Sequence, residues 1–197
     1  MKHALRTALL TVGIAMPALA ALEPGAAAPD FSARASLAGK PFDYSLKVAR
    51  QRGPVVVYFY PSAYTGGCNI QAHEFAVNHE RFTAAGASVI GVSLDSIERL
   101  NAFSADPAYC AGKLAVASDA DGAIARAFDV QVREAVEGKQ DTRGEAIRHG
   151  LAERSTFIVA PDGHIVARLS GLKPADNVAQ SLQAVQQLAQ DTKSVPR

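Results

Sequence analysis

Hydrophobic and polar positions alternate between two periods along this chain, which argues a mixed α/β domain. Val55-Val56-Val57-Tyr58-Phe59-Tyr60 is an unbroken β-branched and aromatic run and predicts a buried strand. From Cys68 onward the period changes to that of a helix, with Ala72, Phe75, Ala76 and Phe82 on one face and Gly86 as the stop. Ser96 and Glu98 open a further helix with Ile97, Leu100 and Phe103 as its stripe, closed by Asp106-Pro107. Lys113 to Ser118 predicts a strand, and Ala120 to Phe128 a short helix with Ile124, Ala127 and Phe128 turned inward. Thr156 to Val159 and His164 to Leu169 flank Pro161-Asp162-Gly163, the signal of a hairpin. A last helix spans about Ala175 to Asp191, with Val178, Leu182, Val185 and Leu188 along one side.

Gln131 to Glu153 breaks the pattern. It is polar, carries charges of both signs and shows no clear period, so it predicts a surface excursion, a solvated loop with one helical turn. A lid or dimer contact is the other reading of such a stretch.

At the N-terminus, Lys2, His3 and Arg6 precede a mostly apolar stretch that ends in Ala18-Leu19-Ala20. A charged start, a short apolar run and a small-residue end are the marks of a cleaved signal peptide over 1–20, and the run is shorter than the roughly twenty residues of a membrane span. Export to the periplasm is the expectation, with 21–197 as one soluble domain. About 175 residues are enough for one real core. Losing Lys2 and Arg6, with no acid in that stretch, moves the formal charge from +1 to −1. Such a chain offers no electrostatic footprint for nucleic acid and none for a stable hold on an anionic membrane.

The residues that carry chemistry lie between the first strand and the helix after it. Cys68 falls in the first turn of that helix, where unpaired N–H groups and the positive end of the macrodipole favour an anion, so its thiol is expected to ionise easily. A thiolate at a strand-to-helix turn is a nucleophile or a redox centre. The spacing Pro61, Thr65, Cys68 matches Pro-x-x-x-Thr-x-x-Cys, and in this the sequence resembles the peroxiredoxins. Ala28-Pro29-Asp30-Phe31, Val89 to Ser96 (as a further strand), Lys113 to Asp119 and Arg154-Ser155-Thr156-Phe157-Ile158-Val159 extend the likeness over most of the chain. Gly67-Cys68 followed by Gln71 and Ala72 looks like the bacterioferritin-comigratory, or Q-type, branch.

The resemblance implies a thioredoxin fold with peroxiredoxin elaborations, a central mixed sheet flanked by helices. It implies a thiol peroxidase acting on hydrogen peroxide or small alkyl hydroperoxides with no metal, haem or flavin cofactor. The partners it implies are the peroxide and a thioredoxin-like or other thiol reductant, with the protein a monomer or homodimer. Cys68 would attack the peroxide and leave as a sulfenic acid. Thr65 would offer its hydroxyl to thiolate and peroxide, Pro61 would wall the pocket, and Arg154 would stabilise thiolate and developing oxyanion. Ionising an ordinary thiol completely gains only about thirtyfold at pH 7, so the weight rests on Arg154, Thr65 and backbone N–H groups.

The second cysteine, Cys110, lies forty-two positions on, in a loop just before a strand. A permanent disulfide across that loop would stabilise by about 4 kcal/mol, yet it would cap the thiol that the motif exposes. A cycling pair with Cys110 as resolving cysteine is therefore the preferred expectation; a one-cysteine mechanism with Cys110 merely packed stays open. In one Q-type subset the resolving cysteine stands where this chain has His73, which is expected to be a partly exposed helix residue. Two rivals on the same fold fail on ligands: a disulfide oxidoreductase wants Cys-x-x-Cys, where position 71 is Gln, and a copper-delivery protein wants Cys-x-x-x-Cys, where position 72 is Ala. Tyr64, His79, His149 and His164 receive no role from the sequence.

Overall fold

The computed structural model describes residues 22–194, so the proposed signal peptide over 1–20 lies outside the described residues. Elements run β1 Ser32–Leu37, β2 Lys40–Ser45, α1 Leu46–Ala49, β3 Val55–Phe59, α2 Gly66–Val77, α3 His79–Ala84, β4 Ser88–Ser93, α4 Ile97–Ala105, β5 Ala115–Ser118, α5 Ala123–Ala127, β6 Val132–Arg133, β7 Leu151–Ala152, β8 Ser155–Val159, β9 Ile165–Ser170 and α6 Pro174–Ser194. Seven strands form one sheet in the order β2-β1-β5-β4-β3-β8-β9. β3, β4 and β5 run parallel, and β8 turns antiparallel against β3. The expected hairpin is present, with β8 against β9 across the Pro161-Asp162-Gly163 turn.

Every residue of β3 is buried because the strand is covered on both faces. Val56 and Tyr58 face a cluster with Cys68, Phe75, Phe82, Phe103, Cys110, Leu114, Leu182 and Val185, while Val55, Val57 and Phe59 face one with Leu46, Ile90, Phe128 and Phe157. Burying one such phenylalanine contributes about 1.5–3 kcal/mol. The two cysteines thus belong to the same face of the sheet.

The structure departs from the expected pattern in four places. A β1–β2 hairpin precedes everything the periodicity picked out. Its turn is Ala38-Gly39, with φ +51° and +76°, and alanine there hides the left-handed turn that Asn-Gly would advertise. The helix after β3 is two helices, parted at Asn78, whose Nδ2 donates to the Glu74 carbonyl at 2.9 Å and competes with the helical ladder. In α5 it is Ala125 that turns inward, beside Phe128, and Ala127 is exposed. The stretch 131–153 is largely exposed but holds no helical turn: short strands β6 and β7 pair at its base, and a Gln140–Ala146 bridge closes its tip.

Candidate active site

β3 delivers the chain to the Pro61–Thr65 loop at its C-terminal end, and α2 carries it away with Cys68 as its third residue. Thr65 sits at the cap with extended backbone, but its side chain does not cap the helix. Its Oγ1 instead donates to the Ser62 carbonyl at 2.8 Å. First-turn amides therefore have no side-chain partner from Thr65, and its oxygen is left to accept. Cys68 is 2% exposed. Arg154, at the entry to β8, donates from Nη2 to Cys68 Sγ at 3.4 Å. A Cβ on Gly67 would come within 3.1 Å of that same nitrogen, so glycine here admits the guanidinium.

Arg154 is itself held. Its Nη1 donates to Gln71 Oε1. Gln71 Nε2 donates to Asn177 Oδ1 at 2.9 Å, and Thr156 Oγ1 donates to the same oxygen at 2.8 Å. Gln71, Thr156 and Asn177 are all fully buried, so this relay joins α2, β8 and α6 and fixes the guanidinium against the sulfur.

The other side of the loop is tied down as firmly. Tyr64 has φ +60°, a strained region for a bulky residue. Its carbonyl accepts from Thr142 N at 2.9 Å and Thr142 Oγ1 at 2.8 Å. Its ring packs on Phe103 and Tyr109, and the Arg143 guanidinium lies 3.3 Å from the ring centroid. Beneath the loop, Asp95 accepts from Ala63 N at 2.7 Å and from Ser62 Oγ at 2.8 Å. The 131–153 excursion thus packs on the Cys68 loop through Thr142 and Arg143.

Of the residues singled out from the sequence, Cys68 and Arg154 are in direct contact. Thr65 stands one turn before Cys68 with its hydroxyl proton turned to Ser62, not to sulfur. Pro61 opens the loop, half-buried. Cys110 is fully buried, and both cysteines are free thiols. Burial pushes the Cys110 thiol well above its ordinary value, and the Asp106 carboxylate adds to that. His73 is exposed, with Nδ1 3.1 Å from the Ala108 carbonyl, and so joins α2 to the Cys110 loop. Tyr58, a strand residue in the sequence pattern, puts a buried hydroxyl without hydrogen-bond partner among the described residues near both sulfurs and Arg154.

Asp95, His149, Arg99 and Asn177 escaped the sequence reading. Only buried polar residues inside apolar patterns signalled two of them: Asp95 after Val92-Ser93-Leu94, and Asn177 before Val178.

The fold carries a cysteine–arginine pair at a helix start, and comparison with known proteins places the chain among the thiol-dependent peroxidases. Residues 24–168 match the AhpC/TSA family. The chain is 34% identical over 131 residues to the peroxiredoxin Bcp of Xanthomonas campestris, covering 66% of this chain and 75% of that one. It is 29% identical over 170 residues to the Bacillus subtilis peroxiredoxin Bcp, covering 86% and 98%. A solved Xanthomonas campestris peroxiredoxin Q superposes with TM-score 0.62 at 30% identity, over 79% of this chain and 90% of that one. The chain belongs to the AhpC/TSA family. It takes a peroxide as substrate and draws its electrons from a thiol reductant.

Proposed function

We propose that Cys68 is the peroxidatic cysteine of a thiol peroxidase that reduces hydrogen peroxide or small alkyl hydroperoxides, with Cys110 as the resolving cysteine. The single observation that carries the reading is the Arg154 guanidinium 3.4 Å from Cys68 Sγ, at a helix start that Thr65 leaves uncapped. The thiolate attacks one peroxide oxygen and the O–O bond breaks heterolytically. That oxygen stays on sulfur as a sulfenic acid, and the other leaves as hydroxide or alkoxide and takes a proton. Arg154 and the first-turn amides stabilise the departing charge. Thr65, its own proton committed to Ser62, accepts from the O–H of the bound peroxide. Pro61, lacking an N–H, walls the loop side of the pocket.

Attack of the Cys110 thiol on the sulfenic acid forms the disulfide and releases water, and two thiol equivalents from a thioredoxin-like donor restore both cysteines. The alkyl hydroperoxide reading draws support from a Xanthomonas campestris bacterioferritin comigratory protein described by its alkyl peroxide reduction activity, 30% identical to this chain. The charged start and small-residue end of 1–20 support export to the periplasm.

Stopped-flow reaction with one peroxide equivalent, followed by intact mass, tests the assignment. A gain of one oxygen at Cys68, then loss of water to a Cys68–Cys110 disulfide in one chain, is the expected record. Disulfides found only between chains would remove Cys110 from the resolving role.

A further inference from the structure

Asp95, fully buried at the end of β4, gathers donors on both oxygens. Oδ1 accepts from Ser62 Oγ at 2.8 Å and His149 Nε2 at 2.9 Å, with Arg99 Nε also 2.9 Å away. Oδ2 accepts from Ala63 N and Ser93 Oγ, both at 2.7 Å. His149 Nδ1 lies 2.7 Å from the Gly150 carbonyl. Both ring nitrogens therefore face an acceptor, which a neutral imidazole with one N–H cannot satisfy. The geometry calls for the imidazolium.

The charges around it form a chain of alternating sign. Arg99 pairs with Asp95 at 2.9 Å, Asp141 at 2.7 Å and Glu145 at 3.2 Å, and Arg143 pairs with Asp141 at 3.0 Å and Glu145 at 2.7 Å. With His149 charged, three cations meet three anions. Without its proton, the set carries an uncompensated negative charge next to a buried carboxylate.

We propose that His149 is a positioning residue for the peroxide reaction: as an imidazolium it fixes Asp95, and through Asp95 the Ser62–Ala63 turn that seats Thr65 and the start of α2. Loss of its proton then slows oxidation of Cys68. The inference rests on Cys68 being the attacking thiol. The path is continuous, from His149 to Asp95, from Asp95 to Ser62 Oγ and Ala63 N, and from the Ser62 carbonyl to Thr65 Oγ1 at 2.8 Å. Tyr64, held at φ +60° in this turn, is a place where released strain can move the loop.

The charged groups facing His149 are Asp95 from the β4–α4 junction and Arg99 from α4, with Asp141, Arg143 and Glu145 of the excursion beyond Arg99. Burial acts to lower the imidazole pKa, but the Asp95 hydrogen bond and charge and the Gly150 carbonyl outweigh it, and the net shift is upward. The stabilising contribution is complete below the unfolded imidazole value near about 6.5 and is lost as pH rises through the higher folded value. This limb falls with rising pH, opposite to the rise that ionisation of an attacking thiol gives.

The test is the second-order rate constant with hydrogen peroxide from about pH 5.5 to about 9, bracketing the ordinary imidazole value, for the wild type, His149→Gln and His149→Lys. The His149 ring protons and the Ala63 amide are followed by NMR on the wild type. The wild-type rate should fall along a limb that coincides with the His149 titration. His149→Gln should lack the limb and run lower on its acid side by on the order of tenfold, and His149→Lys should keep the acid-side rate without the limb. Ala63 amide protection should drop as His149 titrates, a readout that needs neither a variant that folds nor any turnover. Identical pH profiles for wild type and His149→Gln, or Ala63 protection indifferent to the His149 titration, would overturn the proposal. A wild type that consumes no peroxide while Ala63 still follows His149 would instead strike the assignment of Cys68.

Discussion

Cys68 and Cys110 are 2% and 0% exposed and lie in one apolar cluster, yet their surroundings could hardly differ more. Cys68 meets the Arg154 guanidinium at an uncapped helix start. Cys110 sits in a turn whose charged neighbour is Asp106, and burial with that carboxylate drives its thiol upward. Burial alone therefore says nothing about which thiol reacts; what faces the sulfur decides. On the proposed cycle this sets the order of events. Cys110 stays protonated and protected until its loop, or the first turn of α2, opens. Gly66 and Gly67 favour opening at the helix start, because glycine weakens a helix by roughly 0.5–1 kcal/mol per residue relative to alanine.

The largest effect that could break this contrast is removal of the thiol proposed to react. Cys68→Ser is expected to keep the fold and to retain less than about one part in thirty of the turnover, since serine supplies almost no alkoxide and no sulfenic acid. Turnover above that level, measured as peroxide consumption with excess thiol, would mean that the contrast has no catalytic meaning. Arg154→Met comes next. Losing a donor to the developing oxyanion costs on the order of a hundredfold or more, beyond the roughly thirtyfold that ionisation could supply. Comparing the oxidation rate constant with a thiolate absorbance titration separates the two, and a rate loss that merely tracks ionisation would reduce Arg154 to a pKa effect.

Cys110→Ser sharpens the contrast from the other side. The oxidised variant should accumulate Cys68 sulfenic acid and then, with rising peroxide dose, sulfinic acid, visible as the gain of one and two oxygens by mass. Resolution of the sulfenate as fast as in the wild type would remove Cys110 from the cycle. Gln71→Leu is smaller again. It strips Arg154 of its orienting acceptor and Asn177 of a donor, and should cost about 1–3 kcal/mol of stability with a loss of rate on the order of tenfold. Full rate in a destabilised protein would show that the relay serves the fold alone.

How far this site was readable from the chain follows from distance along it. Cys68, Thr65 and Pro61 fall within one strand-to-helix turn, so eight residues place them. Arg154 stood out by resemblance, and the structure puts it on the sulfur. β3 and β8 were legible as apolar runs because both faces of each are buried, and the Pro161-Asp162-Gly163 turn marked the β8–β9 hairpin. The β1–β2 hairpin was not, since Ala38-Gly39 is a quiet turn signal and Arg34, Lys40, Pro41 and Asp43 interrupt its apolar positions. Asp95 and His149 were unreadable as partners because 54 positions part them. The excursion looked solvated because its composition is polar, although one of its polar residues, Asp141, is buried to anchor it.

That anchor gives the smallest and last test, and Tyr64 makes it bear on the comparison. The Tyr64 ring touches Tyr109, the neighbour of Cys110, while its carbonyl is held by Thr142, the neighbour of Asp141. Burial acts to raise the Asp141 pKa, but the Arg143 and Glu145 amides, together with Arg99 and Arg143, outweigh it and bring the carboxyl to about 2. A lowered carboxylate pKa stabilises the fold above the unfolded value near about 3.9 and loses that contribution as pH falls toward 2. Asp141→Asn keeps the shape and one acceptor but loses the charge, so it should cost about 1–2 kcal/mol, a fall in Tm of roughly 2–8 °C for a chain of this size. Between about pH 4 and 2 the wild-type Tm should drop toward that of the variant, whose own curve lacks this component. Parallel curves would show that Asp141 does not hold the excursion by its charge. Convergence together with faster Cys68–Cys110 disulfide formation in the variant at neutral pH would show that the clamp on Tyr64 restrains the opening that brings the two thiols together.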